Sequence, residues 1–224
     1  FSSKAMRDCI GGVILYDETI KQTTSKKISV SELIISNGAF PGIKVDTGAK
    51  VLAGSEQEKI TEGLDGLRDR LKEYYQLGAR FTKWRGVYTI SSKYPSKLAI
   101  SSNAHALARY SALVQECKMV PIVEPEVLME GDHTAEDCLN KTKEVLDKCF
   151  EELSLHGIDL SGIILKPNMI LSGTECKTQI NNDEIANLTL KCLEETVPVE
   201  VPGIAFLSGG QTEIQATENL NLIN

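Results

Sequence analysis

Lys166 is the residue of this chain with the most direct chemical use. It follows the apolar, β-branched run 162–165, which is typical of a buried strand, and Pro167 and Asn168 then end that strand. A lysine at the end of a buried strand is costly to place without a partner. An amine that is desolvated or surrounded by other cations gives up its proton more readily and becomes a nucleophile toward carbonyl groups. Taken alone, Lys166 is explained better as a strand-end lysine whose amine reaches solvent. Whether it is a nucleophile instead depends on the charged residues around it.

Other charged residues occur in pairs, two positions apart, at the ends of similar runs. Side chains alternate between the two faces of a strand. Lys44 and Asp46 are therefore expected on one face of their strand, and Lys83 and Arg85 on one face of theirs. This spacing predicts that amines and carboxylates converge where the strands end.

A third pair, Glu124 and Glu126, has the same spacing but flanks Pro125, which we expect to bend or end the strand. A solvated charge at a strand end accounts for each pair taken singly. Four strands that all end in charged residues instead favour one shared site. Carboxylates beside amines can divide acid and base roles between them, so the chemistry would be nucleophilic and acid–base.

The elements that must position these residues alternate between strand and helix character. Apolar runs of strand character begin at Gly12, Pro41, Ala79, Val120, Gly162 and Gly203. Helical patterns cover 64–77, 102–118, 134–156 and 182–196, and a short helix is expected at 30–35 inside a polar excursion from 21 to 36. Such alternation predicts a parallel sheet with helices outside it.

Six strands of this kind fit an α/β TIM (β/α)8 barrel, with about six of the eight strands present in this chain. An open doubly wound sheet is the alternative. No Gly-rich phosphate loop follows the first strand, and charged residues stand at the C-terminal ends of several strands, where barrel enzymes build their sites. Because no linker or shift in composition interrupts the chain, we predict one barrel domain covering 1–224 that lacks its first and last strands.

Composition narrows the classes of partner. The 224 residues are 42% hydrophobic and 25% charged with a net charge of −7, which disfavours nucleic acid as the main partner. No apolar run approaches the roughly 18 residues of a membrane span. The six cysteines form no Cys-x-x-Cys pair, which is typical of reduced intracellular thiols. The three histidines stand far apart in sequence, so no zinc site is visible, and we predict a cytoplasmic protein without metal or cofactor.

The segment Ser208-Gly209-Gly210 follows the last apolar run. Backbone N–H groups of such a turn, together with a serine hydroxyl, suit a phosphate group. In isolation the segment is explained better as a tight turn.

Several motifs together resemble the class I fructose-1,6-bisphosphate aldolases. They are Gly-Ile-Lys-Val-Asp (42–46), Gly-Leu-Asp-Gly-Leu (63–67), Phe-Thr-Lys-Trp-Arg (81–85), Val-Pro-Ile-Val-Glu-Pro-Glu (120–126), Gly-Asp-His (131–133), Leu-Lys-Pro-Asn-Met (165–169) and Leu-Ser-Gly-Gly-Gln (207–211). They keep the family's order and cover nearly the whole chain. The resemblance implies metal-independent cleavage of fructose 1,6-bisphosphate to dihydroxyacetone phosphate and glyceraldehyde 3-phosphate through a lysine Schiff base, in glycolysis and gluconeogenesis. It also implies a homotetramer.

The resemblance implies roles residue by residue. Lys166 matches the Schiff-base lysine, Glu124 the acid/base during loss of water, and Lys83 a second lysine that handles the hydroxyls and the carbinolamine. Further matches are the pocket members Glu126, Arg85 and Lys44, and the binders of the ketose C1 phosphate, Ser208 and Gly209.

The chain also departs from the family. Thr47 stands where many relatives have a second lysine, and Thr82 replaces a common alanine. The family's first-strand aspartate, last-strand arginine and C-terminal tail are not found, so we expect these residues to be part of a longer chain. Two other hypotheses stay open: a Schiff-base lyase acting on another keto sugar, and a catalytically silent binding protein, against which the retained Lys166, Glu124 and Lys83 argue.

Overall fold

The computed structural model describes residues 1–55 and 57–224, and strands and helices alternate through most of them. The strands are β1 (Gly12–Leu15), β2 (Phe40–Lys44), β3 (Gly48–Val51), β4 (Lys59–Glu62), β5 (Phe81–Tyr88), β6 (Val120–Val127) and β7 (Ile164–Leu165). The helices are α1 (Lys4–Cys9), α2 (Asp17–Ile20), α3 (Val30–Ser36), α4 (Leu67–Gln76), α5 (Lys97–Glu116), α6 (Ala135–Leu155), α7 (Asn182–Thr196) and α8 (Glu213–Ile223).

The main sheet has the order β1-β2-β5-β6-β7, and every pair in it is parallel. Each strand therefore lies beside the parallel strand that precedes it along the chain. A doubly wound sheet would reverse this order at a switch point, and no reversal occurs among the described strands. The arrangement is that of a TIM (β/α)8 fold, as the sequence predicts.

The sixth predicted strand is present only as a single bridge. Ile204 pairs with Leu165, and the amide of Ala205 donates to the carbonyl of Leu165 at 2.9 Å. The expectation of a full strand here is wrong. The ladder is short because β7 has only two residues, and Pro167, two positions after Leu165, has no amide hydrogen to donate.

Pro125 does not end its strand, contrary to expectation, because β6 continues to Val127. Along a strand, the backbone groups of consecutive residues point to opposite neighbours, and those of alternate residues point to the same neighbour. The carbonyl of Val123 faces β7, so the missing amide of Pro125 also faces β7. The ladder to β5 is therefore intact. On the β7 side, the next amide, that of Val127, donates to the Asn168 side chain at 2.9 Å.

The hairpin of β3 and β4 is not visible in the sequence as a strand pattern. It pairs antiparallel after β2 and is fixed from outside by α5. Asn103 accepts from the amide of Thr61 at 3.1 Å and donates to the carbonyl of Lys59 at 2.9 Å. One buried amide on a helix, rather than an apolar alternation, sets this hairpin in place.

Helix bounds follow their caps. α7 has the predicted bounds, and α6 begins after Thr134, which forms a capping box with Asp137. α5 begins five residues earlier than predicted because Ser96 caps it by accepting from the amide of Ala99. Three short or terminal helices, α1, α2 and α8, were not predicted. No helix in the described part of the chain is long and apolar enough to cross a membrane.

The two faces of the sheet have different partners. On the outer face, the ring of Trp84 stacks on Tyr110 of α5 at a centroid distance of 5.5 Å. On the inner face, Phe81 lies against the backbone of Gly42, where a methyl group in place of the glycine hydrogen would come within 2.2 Å of the ring. Side chains two positions apart along a strand share a face, so Lys83, which follows Phe81 by two residues in β5, also points to the interior.

Candidate active site

Lys166 and Glu124 form the centre of the candidate site. The Lys166 amine donates to Oε1 of Glu124 at 2.5 Å. The backbone amide of Lys166 donates to the carbonyl of Val123 at 2.7 Å, which continues the β6–β7 ladder by one residue and aligns the two side chains. Only 5% of the Glu124 side chain and 19% of the Lys166 side chain are exposed. The predicted nucleophile thus has a carboxyl group at contact distance that can exchange protons with it.

Lys83 contacts the other oxygen of the same carboxylate. Its amine lies 3.2 Å from Oε2 of Glu124, for which the described residues supply no hydrogen bond, so the contact is an ion pair. The same amine lies 3.8 Å from Oδ2 of Asp46. Glu124 is therefore held between two amines, one on each oxygen.

Asp46 joins Lys44 to this cluster. The Lys44 amine donates to Oδ1 of Asp46 at 2.5 Å and to its carbonyl at 2.9 Å. The amide of Gly48 donates to the same Oδ1 at 3.1 Å. The shared face predicted for Lys44 and Asp46 from their i, i+2 spacing is confirmed, and Asp46 lies between Lys44 and Lys83. The sequence placed Asp46 in the charged cluster but gave it no chemical role.

Arg85 and Glu126 form a separate ion pair through Nε and Oε2. The hydrogen bond to Glu126 raises the pKa of Arg85, and burial opposes this shift only in part. Together, four cations (Lys44, Lys83, Lys166, Arg85) are paired with three carboxylates (Asp46, Glu124, Glu126), and the carboxylate of Glu130 lines the same cavity as Arg85.

The segment 208–210 forms a turn facing these charges. Gly209 and Gly210 have φ angles of +56° and +81°, in the left-handed region that favours glycine. The turn and the charged side chains line one cavity of about 430 Å³, whose lining includes Lys83, Arg85, Glu124, Glu126, Ser208 and Gly209. The two remaining predicted residues connect to this lining through its members: Lys166 contacts Glu124, and Lys44 contacts Asp46, which lies 3.8 Å from Lys83.

Asn168 supports the site from behind and was not predicted as part of it. Its Oδ1 accepts from the amide of Val127, and its Nδ2 donates to Thr142 and to the carbonyl of Met169, each at 3.1 Å. Asn168 therefore ties the end of β6 to the segment that carries Lys166. A polar residue after Pro167 was the signal, but the sequence pattern indicated only a strand end.

The inner face of the sheet also borders an open, mostly apolar groove. Its volume is about 460 Å³, and its lining includes Phe81, Ile122, Ile164 and Lys166. Lys166 thus adjoins apolar groups while its amine contacts Glu124.

Comparison with known protein families bears on this arrangement. The family model of class I fructose-bisphosphate aldolase, a glycolytic family, matches residues 1–224. The chain belongs to the class I fructose-bisphosphate aldolase family. A probable class 1 fructose-bisphosphate aldolase of Xanthomonas campestris pv. campestris is 51% identical over 216 residues, which are 96% of this chain and 65% of that protein. The cytosolic fructose-bisphosphate aldolase 6 of Arabidopsis thaliana is 47% identical over 224 residues, 100% of this chain and 62% of that protein.

A solved structure of this aldolase family has the same fold. Fructose-bisphosphate aldolase from Plasmodium falciparum, in a ternary complex with TRAP and a small-molecule inhibitor, aligns with a TM-score of 0.96 at 43% identity. The alignment covers 98% of this chain and 64% of that chain. The 224-residue chain therefore spans somewhat less than two thirds of the length of each aldolase named here.

Proposed function

We propose that this protein cleaves fructose 1,6-bisphosphate into dihydroxyacetone phosphate and glyceraldehyde 3-phosphate, and catalyses the reverse condensation, through a Schiff base at Lys166. The observation that carries the proposal is the Lys166 amine at 2.5 Å from a buried carboxyl group whose other oxygen faces a second amine. Membership of the class I aldolase family adds to it.

Formation of the Schiff base needs one nucleophile and one proton carrier. Neutral Lys166 attacks the C2 carbonyl, the N–C bond forms, and the carbonyl oxygen becomes the hydroxyl of a carbinolamine. Glu124 gives that hydroxyl a proton, water leaves, and a protonated imine remains. Glu124 suits this role because its Oε1 already contacts the nitrogen that reacts.

Cleavage then uses the protonated imine as an electron sink. The C3–C4 bond breaks, its electron pair moves into the imine to form an enamine, and the C4 hydroxyl loses its proton as glyceraldehyde 3-phosphate forms. Glu124, now a carboxylate, can accept that proton. Protonation of the enamine and hydrolysis of the imine release dihydroxyacetone phosphate and restore Lys166.

Lys83 and Asp46 balance charge while Glu124 changes its protonation state. Lys83 lies 3.2 Å from Glu124 and 3.8 Å from Asp46, so a cation stays beside the carboxyl group in each step. We assign Lys83 to the carbinolamine and the substrate hydroxyls. Lys44, Arg85 and Glu126 form the surrounding pocket.

Ser208 and Gly209 are proposed to bind the C1 phosphate. The hydroxyl of Ser208 and the backbone of a left-handed glycine turn line the same cavity as Lys83 and Glu124. Adjacent N–H groups of such turns point toward an anion.

The wider assignments are also proposals. They are a cytoplasmic glycolytic enzyme, fructose 1,6-bisphosphate and triose phosphates as partners without nucleic acid or membrane, no metal in the reaction, and a homotetramer. Residues 1–224 would form one domain whose barrel is completed by strands outside them.

Borohydride trapping tests the assignment of the nucleophile. Reduction in the presence of dihydroxyacetone phosphate, followed by peptide mass spectrometry, should place a three-carbon adduct on Lys166, and Lys166→Arg should abolish it. An adduct only on Lys83 or Lys44 would overturn the assignment. An adduct with another ketose and none with dihydroxyacetone phosphate would indicate a different Schiff-base lyase.

A further inference from the structure

Two of the three histidines, distant in sequence, meet on the outside of the helical layer. His105 of α5 places Nδ1 at 3.2 Å from Oε2 of Glu152, and His156, at the end of α6, places Nδ1 at 3.9 Å from the same oxygen. The two rings have a centroid distance of 5.0 Å. No metal-ligand spacing in the sequence indicates this meeting, because the packing of α5 against α6 brings the two residues together.

The hydrogen bonding of His156 leaves a ring nitrogen able to bind a metal. Its Nδ1 lies 2.8 Å from the carbonyl oxygen of Glu152. A carbonyl can only accept, so Nδ1 carries the hydrogen and Nε2 keeps its lone pair. A backbone carbonyl that orients the opposite nitrogen is the usual support of a metal-binding histidine.

Glu152 presents one oxygen to the histidines and the other to a lysine. Oε2 faces His105, and Oε1 lies 3.1 Å from the amine of Lys148.

The three groups are close enough to share one ion. One ligand atom from each of His105, Glu152 and His156 lies within 4.8 Å of the others. A tetrahedral zinc ion, with bonds of about 2.0–2.2 Å to nitrogen and oxygen, needs ligand atoms a little over 3 Å apart. The nitrogens that face Oε2 of Glu152 are the two Nδ1 atoms, so metal binding through Nε2 requires the rings to turn. Half of the His105 side chain is exposed, which leaves its ring room to do so.

We propose that His105, Glu152 and His156 form a binding site for Zn²⁺, with water as the fourth ligand. Two imidazoles and one carboxylate are a donor set that zinc accepts readily. The ion would link the middle of α5 to the last turn of α6. The site lies among the outer helices and shares no residue with the cluster around Lys166, so its role is stabilising rather than catalytic.

Titration of the protein with ZnCl₂, followed by calorimetry and by NMR of the histidine side chains, tests the site. With only three histidines in the chain, we expect the ring signals of His105 and His156 to shift and that of His133 to stay. His105→Ala and His156→Ala should each weaken binding at least about tenfold. Glu152→Gln should also weaken binding, because it removes the carboxylate ligand. Its matched control is Glu144→Gln, which removes the same charge from α6 two turns away and should leave the affinity for zinc unchanged.

Lys148 supplies a variant with the opposite expected sign. Lys148→Met removes the cation that competes for Glu152 and should tighten zinc binding. Unchanged affinity in the double variant His105→Ala/His156→Ala, a shift of His133 alone, or no binding at micromolar zinc would each overturn the proposal. Zinc removal by a chelator should leave Schiff-base formation at Lys166 intact, so the two proposals fail separately.

Discussion

Lys44 and Lys83 occupy paired positions on neighbouring parallel strands, so two amines lie on the same side of the sheet. Asp46 follows Lys44 by two residues and contacts both amines, at 2.5 Å and 3.8 Å. Two adjacent cations repel each other in a partly buried place unless a carboxylate compensates them. Asp46 thus allows the cluster to hold its lysines together.

Asp46→Asn should destabilise the fold. It removes the carboxylate that both lysines contact and leaves the Lys44 amine with carbonyl and amide partners only. We expect a loss of roughly 3 kcal/mol in the free energy of unfolding, the lower end for a broken buried pair because Lys44 is partly exposed. Urea denaturation measures it. Asp69→Asn, on a fully solvated side chain, should change stability by less than about 0.5 kcal/mol, and equal losses would contradict the role of Asp46.

Glu124→Gln should lower kcat by about 10²–10⁴-fold, the usual share of general acid–base catalysis, while KM changes little. The amide keeps the shape of the carboxyl group but cannot carry a proton between Lys166 and the leaving water. Steady-state kinetics and the rate of borohydride trapping both report on this step. Glu126→Gln, in the pair with Arg85, is the matched control and should retain most of kcat. A reversed order of the two variants would move the proton carrier to Glu126.

Gly42→Ala should destabilise the interior by about 1–3 kcal/mol, as overpacked cores do. Its Cβ atom would lie 2.2 Å from the ring of Phe81. Gly11→Ala adds the same methyl group where nothing lies within 4 Å, and should be tolerated. Adding Phe81→Leu to Gly42→Ala should restore part of the loss. Thermal unfolding that is unchanged in Gly42→Ala would refute the close approach.

We expect the two buried thiols of Cys149 and Cys192 to lower the free energy of unfolding at high pH. Burial raises the pKa of Cys149, and that of Cys192, from the ordinary 9.0 to about 12. Below pH 9 both the folded and the unfolded chain keep these protons, so the thiols contribute no pH dependence. Between pH 9 and 12 the unfolded chain releases them while the folded chain keeps them, and the free energy of unfolding falls by up to about 1.4 kcal/mol per pH unit for each thiol.

Variants isolate this contribution from other groups that titrate in the same range. Urea denaturation of Cys149→Ala at several pH values should show a slope smaller by about 1.4 kcal/mol per pH unit, whatever its absolute stability. Cys9→Ala removes an exposed thiol and should leave the slope unchanged. Identical slopes in all three proteins would contradict the prediction.

The sequence predicted what depends on period and caps. The two-residue alternation placed Lys44 with Asp46, and the capping residue Thr134 marked the start of α6. These signals are local, because they require only the geometry of one strand or one helical turn.

Features decided by contacts across the fold were missed. The β3–β4 hairpin depends on Asn103, more than forty residues away, and the continuation of β6 through Pro125 depends on which neighbour its missing amide faces. The meeting of His105 and His156 depends on how α5 and α6 pack. Sequence spacing carries no information about such distances until the topology is known.

The chain-ordered sheet has a consequence for how this protein is made. Because each parallel strand pairs with its predecessor, with the β3–β4 hairpin inserted between β2 and β5, the neighbour of every new strand has already been synthesised when that strand leaves the ribosome. Lys166 follows Lys44, Lys83 and Glu124 in this order. Its amine therefore emerges after the carboxylate that it contacts has been synthesised.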